Sequence, residues 1–135
     1  MFSLTIQNIR FGEFDLGGVL YHANYFHLYE QVREEFLLQG PLSYPTLVAE
    51  GCHLAVVESA QKFLKPIRYG EQFTVNLSVE RLKRASFDLC YTFVREEELL
   101  HTAITSMVFV KATDGALKVS PLPQELRVYL EQQCA

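Results

Sequence analysis

Between Tyr25 and Phe36 the apolar residues fall at Tyr25, Leu28, Tyr29, Val32 and Phe36, while His27, Glu30, Gln31 and Glu34 fall on the other side. That spacing draws one stripe along a helix and leaves the opposite face for solvent. What precedes this helix reads as a strand and a loop, and almost everything after it reads as strands. A lone helix with one apolar stripe needs a sheet to cover it, and the sheet needs the helix. Asn24 is the expected N-cap, because its side-chain oxygen can accept from a free amide of the first turn. Gly40-Pro41 is the expected stop, near Gln39.

Residues 3–10 alternate as a first strand, with Leu4, Ile6 and Ile9 apolar. Residues 10–18 form a loop containing Gly12, Gly17 and Gly18, and a short helical turn is expected within 44–50. Strands follow over 53–63, 73–80, 87–93 and 99–111. The second of these has Phe73, Val75, Leu77 and Val79 in strict alternation with polar residues, the mark of a half-buried antiparallel strand. Lys83-Arg84-Ala85 is a turn, Arg95 to Glu98 a charged hairpin tip, and Asp114-Gly115 a strong hairpin signal. Residues 124–133 close the chain as a short helix. The class is therefore α+β: a curved antiparallel sheet of five or six strands around one long central helix, in one domain over 1–135. The sheet's outer face needs cover from a second subunit or from solvent-tolerant side chains.

A net charge of −4 gives no basic footprint for nucleic acid. No stretch approaches the roughly 18 apolar residues of a membrane span, and the N-terminus lacks the pattern of a signal peptide. Cys52, Cys90 and Cys134 are odd in number and without metal-ligand spacing, so they read as reduced thiols in a cytoplasmic protein with no metal. His53 and His101 have no partner spacing and receive no role. Glu30 and Arg33, three apart, are positioned to pair on the helix surface.

The block Asp15-Leu-Gly-Gly-Val-Leu-Tyr-His-Ala-Asn-Tyr25, followed by Tyr29-Glu30 and Arg33, resembles the signature of the hotdog-fold acyl-CoA thioesterases. It is closest to the 4-hydroxybenzoyl-CoA thioesterase and YbgC-like branch. The resemblance continues through Val57-Glu58, Phe63-Leu64-Lys65-Pro66, Tyr69-Gly70-Glu71 and Ser86-Phe87, and so spans most of the chain. One departure is Glu13, which stands where the family's usual pattern has a first aspartate.

The resemblance implies a hotdog fold and hydrolysis of an acyl-CoA thioester, with coenzyme A as part of the substrate and no cofactor. Asp15 is the implied carboxylate, acting as nucleophile or as general base on water. On the residues alone it can equally cap the turn beside Gly17. The amide of His22, at the start of the helix, is the implied oxyanion donor, with the His22 imidazole as an orienting donor or proton carrier. Gly17, Tyr21, Asn24 and Tyr25 shape the loop and acyl pocket, with core packing the competing reading for Tyr25. Glu58 is either a pocket carboxylate or an outward charge on an edge. Lys83 and Arg84, before Ser86, match the turn that contacts the nucleotide phosphates, and Lys65 and Arg68 are further cationic candidates. Each of these four is otherwise a solvated loop charge. A homodimer is implied, joined edge to edge with sites built from both subunits, and many members form homotetramers. An acyl carrier protein thioesterase and a non-catalytic acyl-thioester-binding module are the alternatives.

Overall fold

The computed structural model describes residues 1–135. A six-stranded antiparallel sheet curves around one long helix. The strands are β1 (Phe2–Ile6), β2 (Cys52–Phe63), β3 (Phe73–Glu80), β4 (Ser86–Arg95), β5 (Glu98–Thr113) and β6 (Ala116–Val119), and the order across the sheet is β1-β3-β4-β5-β2. β6 returns through the Asp114–Gly115 turn to pair with β5 at Val110 to Thr113, beyond the point where β4 begins. The helices are α1 (Tyr25–Leu38), α2 (Tyr44–Ala49) and α3 (Gln124–Gln132). No helix is long and apolar enough to cross a membrane.

The stripe of α1 faces the sheet as its spacing predicts. Tyr25, Leu28, Tyr29, Val32 and Phe36 are all buried, whereas His27, Glu30, Gln31 and Glu34 are exposed. The sheet meets this stripe with one face of each strand: Phe73, Val75, Leu77 and Val79 from β3, and Phe87, Leu89, Tyr91 and Phe93 from β4. Aromatic contacts run the length of the helix, from Tyr25 with Phe93 at 5.9 Å, through Tyr29 with Tyr91 at 5.0 Å, to Phe36 with Phe2 at 5.7 Å. α3 closes the far end of α1: the Tyr129 hydroxyl donates to the Phe36 carbonyl at 2.6 Å. Gly40 lies under that ring, where a Cβ would stand 2.7 Å from two of its carbons.

Three local expectations are corrected. β1 ends at Ile6 rather than near Arg10, because Asn8 takes a positive φ of 60° and turns the chain off the sheet. Asn24 does not cap α1. A 3-10 turn at His22–Asn24 runs directly into the helix, so Asn24 already has helical angles and its side chain caps nothing. Arg33 does not pair with Glu30. It lies half-buried under α2, where its Nε donates to the Tyr44 hydroxyl at 2.6 Å.

β2 is an edge strand, and it carries a bulge at Val57 between Val56 and Glu58. Val56 and Val57 remain exposed on this edge. The three cysteines are unpaired, Cys52 buried, Cys90 half-buried and Cys134 exposed.

Candidate active site

The segment from Glu13 to Asn24 is shaped by its backbone. Phe14 bridges Leu20, the Asp15 amide donates to the Val19 carbonyl at 2.9 Å, and Gly18 turns the tip with φ 80°. Asp15 folds over this tip, its Oδ1 accepting from the Gly17 amide at 2.8 Å and the Val19 amide at 3.3 Å. The turn-capping reading of Asp15 is therefore present in the molecule. It engages only one carboxylate oxygen, and Oδ2 has no partner within the chain. The tip is anchored from below, where the Leu20 amide donates to Ile67 at 2.8 Å and Val19 bridges Arg68.

The 3-10 turn that follows is tied to the same loop. The Glu13 carbonyl accepts from the Tyr21 amide at 3.2 Å and from Asn24 Nδ2 at 2.8 Å. The Glu13 carboxylate also pairs with His27 Nδ1 at 2.6 Å, joining the first turn of α1 to the loop. Asn24 is thus a brace between Asp15's loop and the helix start. At that start the amides of His22 and Ala23 carry no intramolecular hydrogen bond. Unpaired amides at a helix beginning, with the positive end of its dipole, suit a developing negative charge.

Asp15 and His22 border one cleft of about 320 Å³, with Lys65 at its rim and the rings of Tyr25 and Phe63 in its wall. Tyr25 is buried and Phe63 half-exposed, their centroids 5.0 Å apart. Tyr21 is exposed and packs on the His22 ring at 4.3 Å. Gly17 stands in Asp15's own turn. Lys65 leans away to Glu98 at 2.6 Å, part of a network in which Glu98 also bonds Arg95 and Arg95 bonds Glu71 at 3.0 Å. The Lys65 and Arg95 bonds lower the pKa of Glu98. Arg68 is exposed and joins the site only through its backbone.

The remaining candidates lie elsewhere in the chain. Glu58 follows the β2 bulge, exposed and outside the cleft, with no ion pair. Lys83, Arg84 and Ser86 sit at the opposite end of the sheet. Phe63 at the cleft pairs with His101, which pairs with Phe93, whereas Ser86 begins β4 seven residues earlier. At about 3.3 Å per residue that is roughly 23 Å. Lys83 and Arg84 are both exposed there, their backbones held by bonds from Arg127 and Leu122 to their carbonyls.

One residue given no role by its sequence neighbours adjoins the cleft. His101 is fully buried, stacked on Tyr25 at 4.3 Å and edge-on to Phe63 at 4.7 Å. Its Nε2 bonds the Tyr29 hydroxyl at 2.5 Å, and its Nδ1 has no partner at all. Burial among rings disfavours the imidazolium and lowers the His101 pKa to about 4, while burial raises that of Tyr29. The sequence did hold a signal: His101 shares its strand face with Ala103, Thr105, Met107 and Phe109, all buried.

Comparison with known proteins agrees with this fold. The family model for the thioesterase-like superfamily matches residues 9–130. A 1,4-dihydroxy-2-naphthoyl-CoA hydrolase of Picosynechococcus is 29% identical over 111 residues, covering 77% of this chain and 76% of that protein. The acyl-CoA thioester hydrolase YbgC of Escherichia coli is 27% identical over 127 residues, covering 92% of both. The crystal structure of an Aquifex aeolicus protein superimposes with a TM-score of 0.88 at 28% identity, covering 96% of this chain and 99% of that one. With the curved sheet, the enclosed helix and a family match over nearly its whole length, the chain belongs to the thioesterase-like superfamily of hotdog-fold proteins.

Proposed function

We propose that this protein is an acyl-CoA thioesterase, cleaving an acyl-CoA with water to a free acid and coenzyme A. The observation that carries the reading is the pairing, in one cleft, of a carboxylate with one oxygen uncommitted and a helix start with unpaired amides. The thioester carbonyl rests against the His22 amide, which stabilises the oxyanion as the carbonyl carbon becomes tetrahedral. Asp15 Oδ2 either takes a proton from the attacking water or attacks the carbon itself to form an anhydride that water then opens. In both routes the C–S bond breaks and the sulfur leaves as coenzyme A. Holding Oδ1 on two amides fixes the carboxylate's direction without occupying the oxygen that reacts. The names of the relatives, hydrolases of acyl-CoA thioesters, support this chemistry.

The working unit of this reading is a homodimer in the cytoplasm, formed along the β2 edge. Exposed Val56 and Val57 on a strand whose outer edge is unpaired favour that contact. So does the roughly 23 Å between Lys83–Arg84 and their own chain's cleft, which a two-fold partner removes by bringing its own Lys83 and Arg84 to the cleft mouth. Those two cations then hold the nucleotide phosphates.

Thiol release from benzoyl-, short-chain and long-chain acyl-CoA esters tests the reading, with Asp15→Asn beside the wild type. Wild-type turnover that falls at least about a hundredfold in the variant, with ligand binding retained, is the expected result. Near-normal turnover by Asp15→Asn would remove the aspartate from the mechanism.

A further inference from the structure

His101 combines features that core packing alone does not require. It is fully buried, yet Nδ1 has no hydrogen-bond partner, and it is the only buried side-chain polar atom in the molecule so left. The groups facing it are Tyr25, Tyr29, Phe63 and Phe93, none of them charged. The imidazole is neutral, so it holds one N–H and one lone pair.

The Tyr29 hydroxyl decides which nitrogen holds the proton. Tyr29 has no partner other than His101 Nε2. If the hydroxyl donates to Nε2, every hydrogen between them is used and only Nδ1–H is unmatched. In the opposite tautomer two groups are unmatched, the hydroxyl proton and the Nδ1 lone pair. The first arrangement leaves fewer buried groups unsatisfied, so Nδ1 is a donor.

The His101 imidazole lies one ring behind the cleft. Of the four rings around His101, Tyr25 and Phe63 are the two that also line the cleft. Tyr25 is held in the core at 3% exposure, but Phe63 is 52% exposed and ends its strand. Phe63 is therefore the ring that an acyl group in the cleft would have to displace to reach His101.

We propose that His101 is a specificity-determining residue, whose Nδ1–H takes an acceptor oxygen carried by the acyl group beyond its thioester carbonyl. The inference rests on the reading of this cleft as the acyl site. It specifies an oxygen-bearing acyl group over its unsubstituted counterpart, because a donor left unmet in an apolar site discriminates against the ligand lacking its partner.

The test uses matched esters: benzoyl-CoA against its three monohydroxybenzoyl isomers, and butanoyl-CoA against 3-hydroxybutanoyl-CoA. Wild-type protein is expected to prefer the oxygenated member of at least one pair by about tenfold or more in kcat/KM. His101→Phe keeps the ring and removes the donor, so the ratio should fall to within about twofold while the unsubstituted ester is still hydrolysed. Tyr29→Phe, a milder change, frees the tautomer and should lower the same ratio. The side-chain ¹⁵N spectrum of the wild type should show His101 protonated at Nδ1. The same esters titrated onto Asp15→Asn read the preference from binding alone. A wild type without preference in either measurement, a ratio unchanged in His101→Phe, or a proton on Nε2 would each overturn the proposal. Loss of turnover on every ester, with the binding ratio intact, would overturn the hydrolase reading and leave His101 in place. Absence of both turnover and binding would overturn both.

Discussion

The two oxygens of the Asp15 carboxylate stand differently. Oδ1 closes the tip of the loop on two amides, and Oδ2, which has no partner within the chain, is the oxygen the proposed hydrolysis would use. The sequence showed the residue but not this division, because both readings ask for an aspartate two residues before a glycine. Asn24 stands at the expected junction but does not cap the helix. Capping requires an extended residue ahead of the helix, and here a 3-10 turn continues into it, so the side chain turns back to Glu13 instead. His101 was illegible for a different reason: its partner Tyr29 is 72 residues away, and only the folded sheet brings them together. Its burial has a consequence for pH. The fold holds the imidazole neutral down to about pH 4, whereas the unfolded chain binds a proton near pH 6.5. Between those values the unfolded state binds more protons, so the stability contributed is complete above pH 6.5 and is lost as pH falls toward 4. Unfolding free energies from urea titrations at pH 7 and 4.5 should differ more for wild type than for His101→Phe, by on the order of 2 kcal/mol after allowance for solvent screening. Parallel pH profiles for the two proteins would count against it.

At the scale of elements, the helix and the strands were legible because their periods of 3.6 and 2 are written directly in the apolar positions. α1 ends at Leu38 with Gln39 as its cap, and β3 covers Phe73–Glu80 as its alternation required. The packing between elements was not legible. Nothing in the sequence near Arg33 points to Tyr44, nor does Gly40 announce that α3 lies over it. That second contact is testable. In Gly40→Ala the new methyl meets the Tyr129 ring at 2.7 Å, so the ring must move and loses its bond to the Phe36 carbonyl. A loss of about 1–3 kcal/mol in unfolding free energy is expected. Replacing Tyr129 by the smaller Leu in the same chain should recover part of it. An unchanged melting temperature in Gly40→Ala would show that the ring yields without cost.

For the whole molecule, the decisive feature is the separation along the sheet between the cleft and the Lys83–Arg84 turn. Mixing tests the shared site. Asp15→Asn and the double variant Lys83→Ala/Arg84→Ala are each expected to be poor on coenzyme A esters. In a mixed dimer one cleft regains both an intact Asp15 and an intact partner turn. Random reassortment then restores roughly a quarter of the wild-type sites. Mixtures no more active than the sum of their parts would confine each site to one chain. These residues could be named from the sequence as cations, but their distance from Asp15 follows from strand register, which residue identity alone does not reveal.

The unpaired β2 edge gives that separation a kinetic meaning. If the phosphate clamp belongs to the neighbouring chain, the monomer keeps its aspartate and its helix start but loses its hold on the nucleotide. Dilution below the dimer's dissociation constant then weakens the apparent affinity for coenzyme A esters while leaving short pantetheine thioesters far less affected. Protein concentration itself becomes a selector of substrate.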